Sequence, residues 1–158
     1  MRVKLINPPY QDAEGDERFF SIVNSPNRKI LSFATRLRDT AFKKSIRELP
    51  VGTEVEVLRI LGKFTLPSDT SKHYVFLVGG IGITPFMSML RFIKEEKLPH
   101  KIILIYSNRD QASTAFLEEL KSMDMPNFKL ILTMTDDPNW QGEKRMIVNT
   151  ISRVKAIM

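Results

Sequence analysis

The pattern of apolar and polar positions divides the chain into two halves of different character. In the first half, β-branched and aromatic residues alternate incompletely with polar ones over four short stretches, which clusters of Pro, Gly, Asn and Asp separate. These stretches are residues 2–6, 19–23, 30–36 and 54–60. The pattern predicts antiparallel strands that form part of a β-barrel.

The first half also contains one predicted helix, over residues 40–49. Its apolar side chains recur at helical spacing from Ala41 to Leu49, and Pro50 ends the pattern. Thr40 is a suitable N-cap because its hydroxyl can accept a hydrogen bond from the first turn.

Strands and helices alternate in the second half. The predicted strands are residues 74–78, 102–106 and 129–134, and the predicted helices are residues 85–96 and 113–123. This alternation predicts right-handed βαβ units around a parallel sheet. A polar stretch at residues 67–72 separates the two halves. The sequence therefore predicts a mixed β and α/β fold with two domains, residues 1–68 and 69–158.

Composition is that of an ordinary globular protein. Of the 158 residues, 42% are hydrophobic and 27% are charged. The longest apolar run, at residues 74–83, is far too short to cross a bilayer, and the first nine residues lack the apolar core of a secretory signal. We therefore expect a cytoplasmic protein without a membrane span.

The absence of cysteine restricts the chemistry that the chain can perform. No disulfide, thiolate nucleophile or Cys-bound iron–sulfur cluster can form within it. His73 and His100 are far apart and have no carboxylate partner at a ligand spacing, so we expect no metal site. Any redox reaction must use a bound cofactor.

Positive charge is spread along the chain and is densest between Arg36 and Arg47. The formal net charge is +6. Such a surface suits nucleic acid, an acidic protein or a phosphorylated cofactor, and composition does not choose among them.

A glycine-rich turn, residues 79–85, lies between a predicted strand and a predicted helix. At that edge of a parallel sheet, glycines let a diphosphate approach the backbone, and the helix N-terminus offers free N–H groups. The turn is neither the three-glycine dinucleotide fingerprint, because Pro85 replaces the third glycine, nor a Walker A loop. By itself it fits a phosphate cradle and a tight packing turn equally well.

Two segments together resemble the ferredoxin-NADP reductase family. The sequence Gly-Gly-Ile-Gly-Ile-Thr-Pro-Phe, residues 79–86, resembles its nicotinamide-nucleotide loop, and Arg-Phe-Phe-Ser, residues 18–21, resembles its upstream Arg-x-Tyr-Ser flavin signature. The resemblance extends over residues 5–147. It implies an NAD(P)H-dependent flavin oxidoreductase whose cofactors are FAD and NADPH or NADH.

The resemblance assigns flavin contacts to the first half. Arg18 is expected at the FAD diphosphate, Phe20 on the isoalloxazine and Ser21 near flavin N5, with a bend in the strand so that Ser21 reaches the flavin. Phe20 lacks the usual tyrosine hydroxyl but keeps a stacking face. A second flavin element is expected at Thr35, Arg36, Thr40, Ala41 and Phe42. Lys43, Lys44 and Arg47 are expected on a solvated helix face.

The nicotinamide nucleotide is expected at the second half. The residues assigned to it are Gly80, Gly82, Ile83, Thr84, Pro85, Ser107, Arg109 and Thr133. Ser107 and Arg109 could accept a 2′-phosphate, which favours NADPH. Trp140 is either a hydrophobic anchor or a ligand contact.

The implied reaction is hydride transfer from nicotinamide C4 to flavin N5, with Ser21 and Thr84 beside the reacting atoms. The electrons would pass to an acceptor that the sequence does not identify, including a protein acceptor. The family also has barrel strands before the segment that matches residues 1–9, and a further strand and helix after the part matched here. We therefore expect a chain truncated at both ends that is unstable, homo-oligomeric or supported by another chain.

Two classes of function follow from these features. The first is the flavin oxidoreductase, and the alternative is a non-catalytic remnant or partner subunit that binds nucleotide or protein without turnover. Nucleic-acid binding through the basic residues is a third hypothesis, which we do not favour, and an affinity that does not fall with added salt would exclude it.

Overall fold

The computed structural model describes residues 1–147, and its strands form two three-stranded sheets. The antiparallel sheet has the order β2-β1-β3, with β1 at Arg2–Leu5, β2 at Glu17–Phe19 and β3 at Val55–Arg59. The parallel sheet has the order β4-β5-β6, with β4 at His73–Gly79, β5 at Lys101–Asn108 and β6 at Phe128–Met134. This arrangement confirms the predicted mixed fold.

The antiparallel sheet is an open fragment of a barrel. Val3 and Leu5 on the central strand are buried, whereas all five residues of β3 are exposed. Two strand predictions need correction. Residues 30–36 form no strand. The Ser32 carbonyl accepts from the Val23 N–H (2.9 Å), but the Ser32 N–H donates to the Asn24 side chain (2.7 Å), so a strand ladder does not continue there. The strand predicted at residues 19–23 lies earlier in the chain, as β2.

Helix α1, Ala41–Glu48, forms where the sequence predicts it. Thr40 is the N-cap, and its hydroxyl oxygen accepts a hydrogen bond from the Lys43 N–H (3.4 Å). The helix buries Phe42 and Ser45.

Two helices pack against the parallel sheet, α2 at Thr84–Glu95 and α3 at Leu117–Lys121. Helix α3 is much shorter than the predicted residues 113–123. It begins only after Phe116, whose backbone is left-handed (φ 58°), and the preceding Thr114 hydroxyl donates to the Asp110 carbonyl (2.6 Å). The core of this half includes the fully buried side chains of Ile83, Met87, Leu90, Leu104, Tyr106 and Leu120.

Helix α2 also holds the two halves together. The Ser88 hydroxyl donates to the Asn24 carbonyl (2.8 Å), and Arg91 Nη1 donates to the Val23 carbonyl (2.8 Å). Val23 is part of the same buried cluster as the parallel sheet. The domain boundary between residues 68 and 69 stays a prediction. Within residues 1–147, no helix is long and apolar enough to cross a membrane.

Candidate functional site

The glycine turn is a single 3₁₀ turn, Gly80–Ile83, that joins β4 directly to α2. Gly80 has φ +50°, in the left-handed region that glycine adopts at little cost. A Cβ at Gly80 would lie 3.1 Å from Arg36 Nη2. The turn therefore needs glycine both for its backbone conformation and for the close approach of an arginine from the other half.

Two sources of positive potential meet at this turn. The first turn of α2 contains Pro85 and no acidic residue, so the helix N-terminus is uncompensated. The Arg36 guanidinium lies against Gly80 and forms no ion pair within residues 1–147. A cation next to a positive helix end is unfavourable unless an anion joins them. The arrangement thus fits the diphosphate of a nucleotide.

Strand β5 has two buried polar side chains near this site, of which Tyr106 reaches the turn. The fully buried Tyr106 hydroxyl lies 3.0 Å from the Gly80 carbonyl and 3.2 Å from the Ala115 carbonyl, and its proton can be donated to either. Asn108 is 5% exposed, and neither polar atom of its side chain has a hydrogen-bond partner in the described part of the chain. Sequence reasoning missed both residues.

The predicted contacts of the turn are only partly accessible. Ile83 is fully buried in the core, so its side chain cannot touch a nucleotide, which corrects its assignment as a cofactor contact through that side chain. Thr84 is 6% exposed, and its hydroxyl donates back to the Ile81 carbonyl (3.3 Å). Gly82 is exposed, and Pro85 is half-buried. A contact between Thr84 and the nicotinamide stays a prediction.

A groove of about 710 Å³ runs between the first half and α2. Ser21, from the predicted flavin signature, and Pro85, from the glycine turn, both line it. Its apolar lining includes Phe20, Leu61, Phe64 and Phe92. The two predicted cofactor elements therefore face one shared groove, although Arg18 and Thr84 lie outside its lining.

Strand β2 ends at Phe19, so Ser21 lies in irregular backbone, as the predicted bend requires. The Phe20 ring stacks on Phe33 (centroids 4.1 Å apart, planes 17° apart) and lies 5.8 Å from the Phe42 ring. Phe33 therefore already covers one face of Phe20. Phe42 itself is 1% exposed and acts as the floor of this aromatic cluster.

An acidic side chain occupies the place where the sequence predicts a phosphate. Asp12 Oδ2 accepts a hydrogen bond from the Ala41 N–H (2.9 Å) at the start of α1, and Asp12 Oδ1 lies 3.9 Å from Arg18 Nη2. Arg18 also pairs with Glu14 (2.7 Å), and its guanidinium lies over the Phe42 ring (5.1 Å). The Ala41 N–H and the Arg18 guanidinium fit an anion, and the Asp12 carboxylate occupies the position between them.

Lys43 adds to the positive charge beside this position. Its ammonium donates to the Arg36 carbonyl (2.7 Å) and is not on a fully solvated face, which corrects the expectation for this residue. Burial lowers the pKa of Lys43, and the neighbouring Arg38 and Arg18 lower it further. Thr35 is half-buried nearby, and its hydroxyl donates weakly to the same Arg36 carbonyl (3.4 Å).

The remaining predicted nucleotide residues lie at the carboxyl ends of β5 and β6. The fully buried Thr133 donates its hydroxyl proton to Ser107 Oγ (2.9 Å). Arg109 is exposed and pairs with Asp136 (3.4 Å). The side chain of Thr133 is therefore a support for Ser107 and has no exposed surface for a ligand.

Trp140 is a local anchor. Its indole N–H donates to the Glu143 carbonyl (3.1 Å), and its ring lies so close to Gly142 that a Cβ there would be 2.7 Å away. Residues 1–147 contain no group of three or more His, Asp or Glu side chains arranged to hold a metal ion.

The chain is similar in sequence to a family of oxidoreductase domains and to two curated proteins. Residues 76–156 match the family described as the oxidoreductase NAD-binding domain. Methane monooxygenase component C of Methylosinus trichosporium is 26% identical over 142 residues, which cover 87% of this chain and 42% of that protein. Phthalate dioxygenase reductase of Burkholderia cepacia is 32% identical over 112 residues, which cover 68% of this chain and 34% of that protein.

Among solved structures, a ferredoxin NADP+ reductase from Neisseria gonorrhoeae with bound FAD and NADP superposes with a TM-score of 0.77. The match covers 99% of this chain and 63% of that one at 20% identity, a level that speaks for the fold alone. The chain spans less than half the length of the two curated relatives described above.

Proposed function

The chain belongs to the oxidoreductase NAD-binding domain family of ferredoxin-NADP reductase-like proteins, and from that premise we propose that it binds FAD together with NADPH or NADH in a flavin oxidoreductase. The observation that carries the proposal is the groove shared by Ser21 and Pro85. Bound there, the flavin would accept a hydride from the nicotinamide and pass electrons to a further acceptor.

The glycine turn is the proposed seat of the nicotinamide nucleotide. Gly80 and Gly82 allow the backbone to approach a diphosphate, and Arg36 supplies a guanidinium that has no competing carboxylate within residues 1–147. The nicotinamide end would lie in the groove at Pro85, and a contact with the neighbouring Thr84 is part of the proposal. Ser107 and Arg109 are proposed for the adenosine end, where a 2′-phosphate would replace Asp136 as the partner of Arg109.

The flavin is proposed to lie along the first half. Arg18 and the main-chain N–H groups of Ala41 and Phe42 would hold its diphosphate after Asp12 moves away. Phe20 offers an aromatic face, and the exposed Ser21 hydroxyl offers a hydrogen-bond donor in the groove. Thr40 would act indirectly, because its hydroxyl caps α1. These groups bind and orient, and the reaction needs no acid–base pair from them.

The proposed acceptor is a separate redox protein. Two relatives are named as a component of a methane monooxygenase and as a phthalate dioxygenase reductase, and the +6 charge of this chain favours an acidic partner. A cytoplasmic location, a homo-oligomeric state and a domain boundary between residues 68 and 69 belong to the same proposal. Nucleic acid is not proposed as a partner.

The decisive experiment is the visible absorption spectrum of the purified chain after incubation with FAD and gel filtration. We expect a yellow protein whose flavin absorbance is bleached anaerobically by NADPH or NADH. Retention of FAD without bleaching by either nucleotide would contradict hydride transfer, and failure to retain FAD would contradict the flavin site.

A non-catalytic binding subunit is the second candidate function. It is favoured by β3, where Val55, Val57 and Leu58 are each more than two-fifths exposed. Such a strand offers an apolar edge that a partner chain could cover. A colourless chain that binds a nucleotide but cannot be reconstituted with FAD would support this alternative.

A further inference from the structure

Tyr106 connects the middle strand of the parallel sheet to the glycine turn. Its hydroxyl lies within hydrogen-bond distance of the Gly80 carbonyl (3.0 Å). Gly80 is the first residue after β4 and has a left-handed backbone. Because glycine can rotate in either direction at little cost, an unanchored carbonyl would let the turn take several conformations.

The position of that carbonyl determines what the turn presents to a ligand. One peptide plane carries the Gly80 carbonyl and the following N–H, so fixing the oxygen also fixes the direction of that N–H. The same residue is the point of contact with Arg36. Tyr106 thus acts at the junction of the backbone donors, the helix N-terminus and the guanidinium.

Asn108 lies on the same face of β5, two residues further along. Burial raises the pKa of Tyr106, and the Asn108 side chain is near enough to oppose that shift, as is the Arg36 guanidinium. The Asn108 amide has no other hydrogen-bond partner in the described part of the chain, so it is available to the Tyr106 hydroxyl beside it.

We propose that Tyr106, supported by Asn108, is a positioning residue for the nicotinamide nucleotide, because its hydroxyl holds the Gly80 carbonyl in the conformation that presents the turn to the diphosphate. This inference rests on the proposed function. It makes the nucleotide affinity depend on one buried hydroxyl that never touches the ligand. A merely structural tyrosine would instead affect stability and the affinity for both cofactors alike.

The test is calorimetric titration of the full chain with NADP+ and with NAD+, with FAD titrated in parallel. Tyr106→Phe should weaken binding of whichever nicotinamide nucleotide the wild type prefers by about 10-fold, as expected for loss of one buried hydrogen bond. FAD affinity should stay within about twofold of wild type, since no flavin contact changes.

Tyr74→Phe is the matched control. The Tyr74 hydroxyl also donates to a backbone carbonyl, that of Asp69 (2.6 Å), but it is exposed and belongs to the opposite end of β4. Removing it should leave both affinities unchanged. Gly80→Ala leaves the Tyr106 side chain in place but strains the same turn and presses on Arg36, so it should also lower nucleotide affinity selectively.

The outcomes separate the inference from the function on which it rests. If the wild type binds neither NADP+ nor NAD+, the proposed function fails and the inference fails with it. If the wild type binds and Tyr106→Phe binds equally well, only the inference is overturned. An equal loss of FAD and nucleotide affinity in Tyr106→Phe, or wild-type nucleotide affinity in Gly80→Ala, would also overturn it.

Discussion

Asp12 occupies the position that the proposed function gives to the FAD diphosphate. Its carboxylate accepts the N–H at the start of α1 and lies near Arg18, so the proposal requires the diphosphate to displace it. Asp12→Asn keeps the shape and removes the charge, and we expect FAD to bind about 3- to 5-fold more tightly, the size of one charge at a helix N-terminus. Quenching of flavin fluorescence on titration would measure this.

Asp69→Asn is the control for that experiment, because Asp69 is exposed and its side chain bonds only locally, with Ser71 and Lys72. It should leave FAD affinity unchanged. Weaker binding in Asp12→Asn would show that the carboxylate organises the site and does not compete for it.

Arg36 is expected to contribute to binding far more than to folding. Because its guanidinium forms no ion pair within residues 1–147, Arg36→Gln should change the thermal midpoint little. Loss of a charge-assisted contact should weaken NADP+ binding by about 10-fold or more and reduce its salt dependence. Titration at two salt concentrations measures both effects. Arg47→Gln removes an exposed charge paired with Glu48, and it should change neither the NADP+ affinity nor the salt dependence of that affinity.

Sequence reasoning selects residues that belong to a visible motif, and it overlooks those that only the fold brings together. Gly80 and Ser21 were selected because a glycine-rich turn and a flavin signature are visible in the sequence. Arg36 was expected at the flavin, whereas the fold places its guanidinium against Gly80 of the nucleotide turn. Tyr106 ends the predicted strand, where the pattern predicts only burial, and Asn108 follows that strand. The Tyr106 hydroxyl reaches the glycine turn because the crossover from β4 places β5 beside it in the sheet.

Between elements, Arg91 is the most heavily used side chain of α2. It makes a bidentate pair with Glu119 of α3 (2.7 Å for each bond), donates to the Val23 carbonyl and lies over the Phe116 ring at 5.2 Å. The hydrogen bond to Glu119 raises the pKa of Arg91. We infer that Arg91 fixes the position of the segment around Val23 against α2.

Arg91→Met should therefore lower the free energy of unfolding by about 1–3 kcal/mol, because the Val23 carbonyl and Glu119 lose a charged donor together. Chemical denaturation followed through Trp140 fluorescence measures it. Arg28→Met is the control, since the Arg28 side chain is 63% exposed and its pair with Glu95 should contribute at most about 0.5 kcal/mol. Equal losses in the two variants would contradict the role of Arg91.

Helix α1 was predictable because its cap and its terminating proline are local signals. The absence of a strand at residues 30–36 was not predictable. A strand needs a partner, and the sequence does not reveal that the Asn24 side chain accepts the Ser32 N–H. For the same reason the shortened α3 depends on the Asp110 turn and the left-handed Phe116, which periodicity does not reveal.

At the scale of the whole molecule, the sequence predicted the order of a β-rich half and a parallel half. It did not predict that β3 would lie at an exposed edge of the first sheet. Strand β3 pairs with β1 on one side only, and each of its five residues is exposed. A sheet edge with apolar side chains and free backbone groups is a template for another strand. A second copy of the chain offers the same edge.

We therefore expect the isolated chain to self-associate through β3. Val57→Lys places a charge in the middle of that edge, where pairing would desolvate it, and should shift the chain towards monomer in sedimentation velocity. Val51→Lys is the matched control, because Val51 is fully exposed in a turn outside the strand. If both variants sediment as the wild type does, β3 is not the interface, and if the wild type is monomeric at every concentration, the edge is covered in another way.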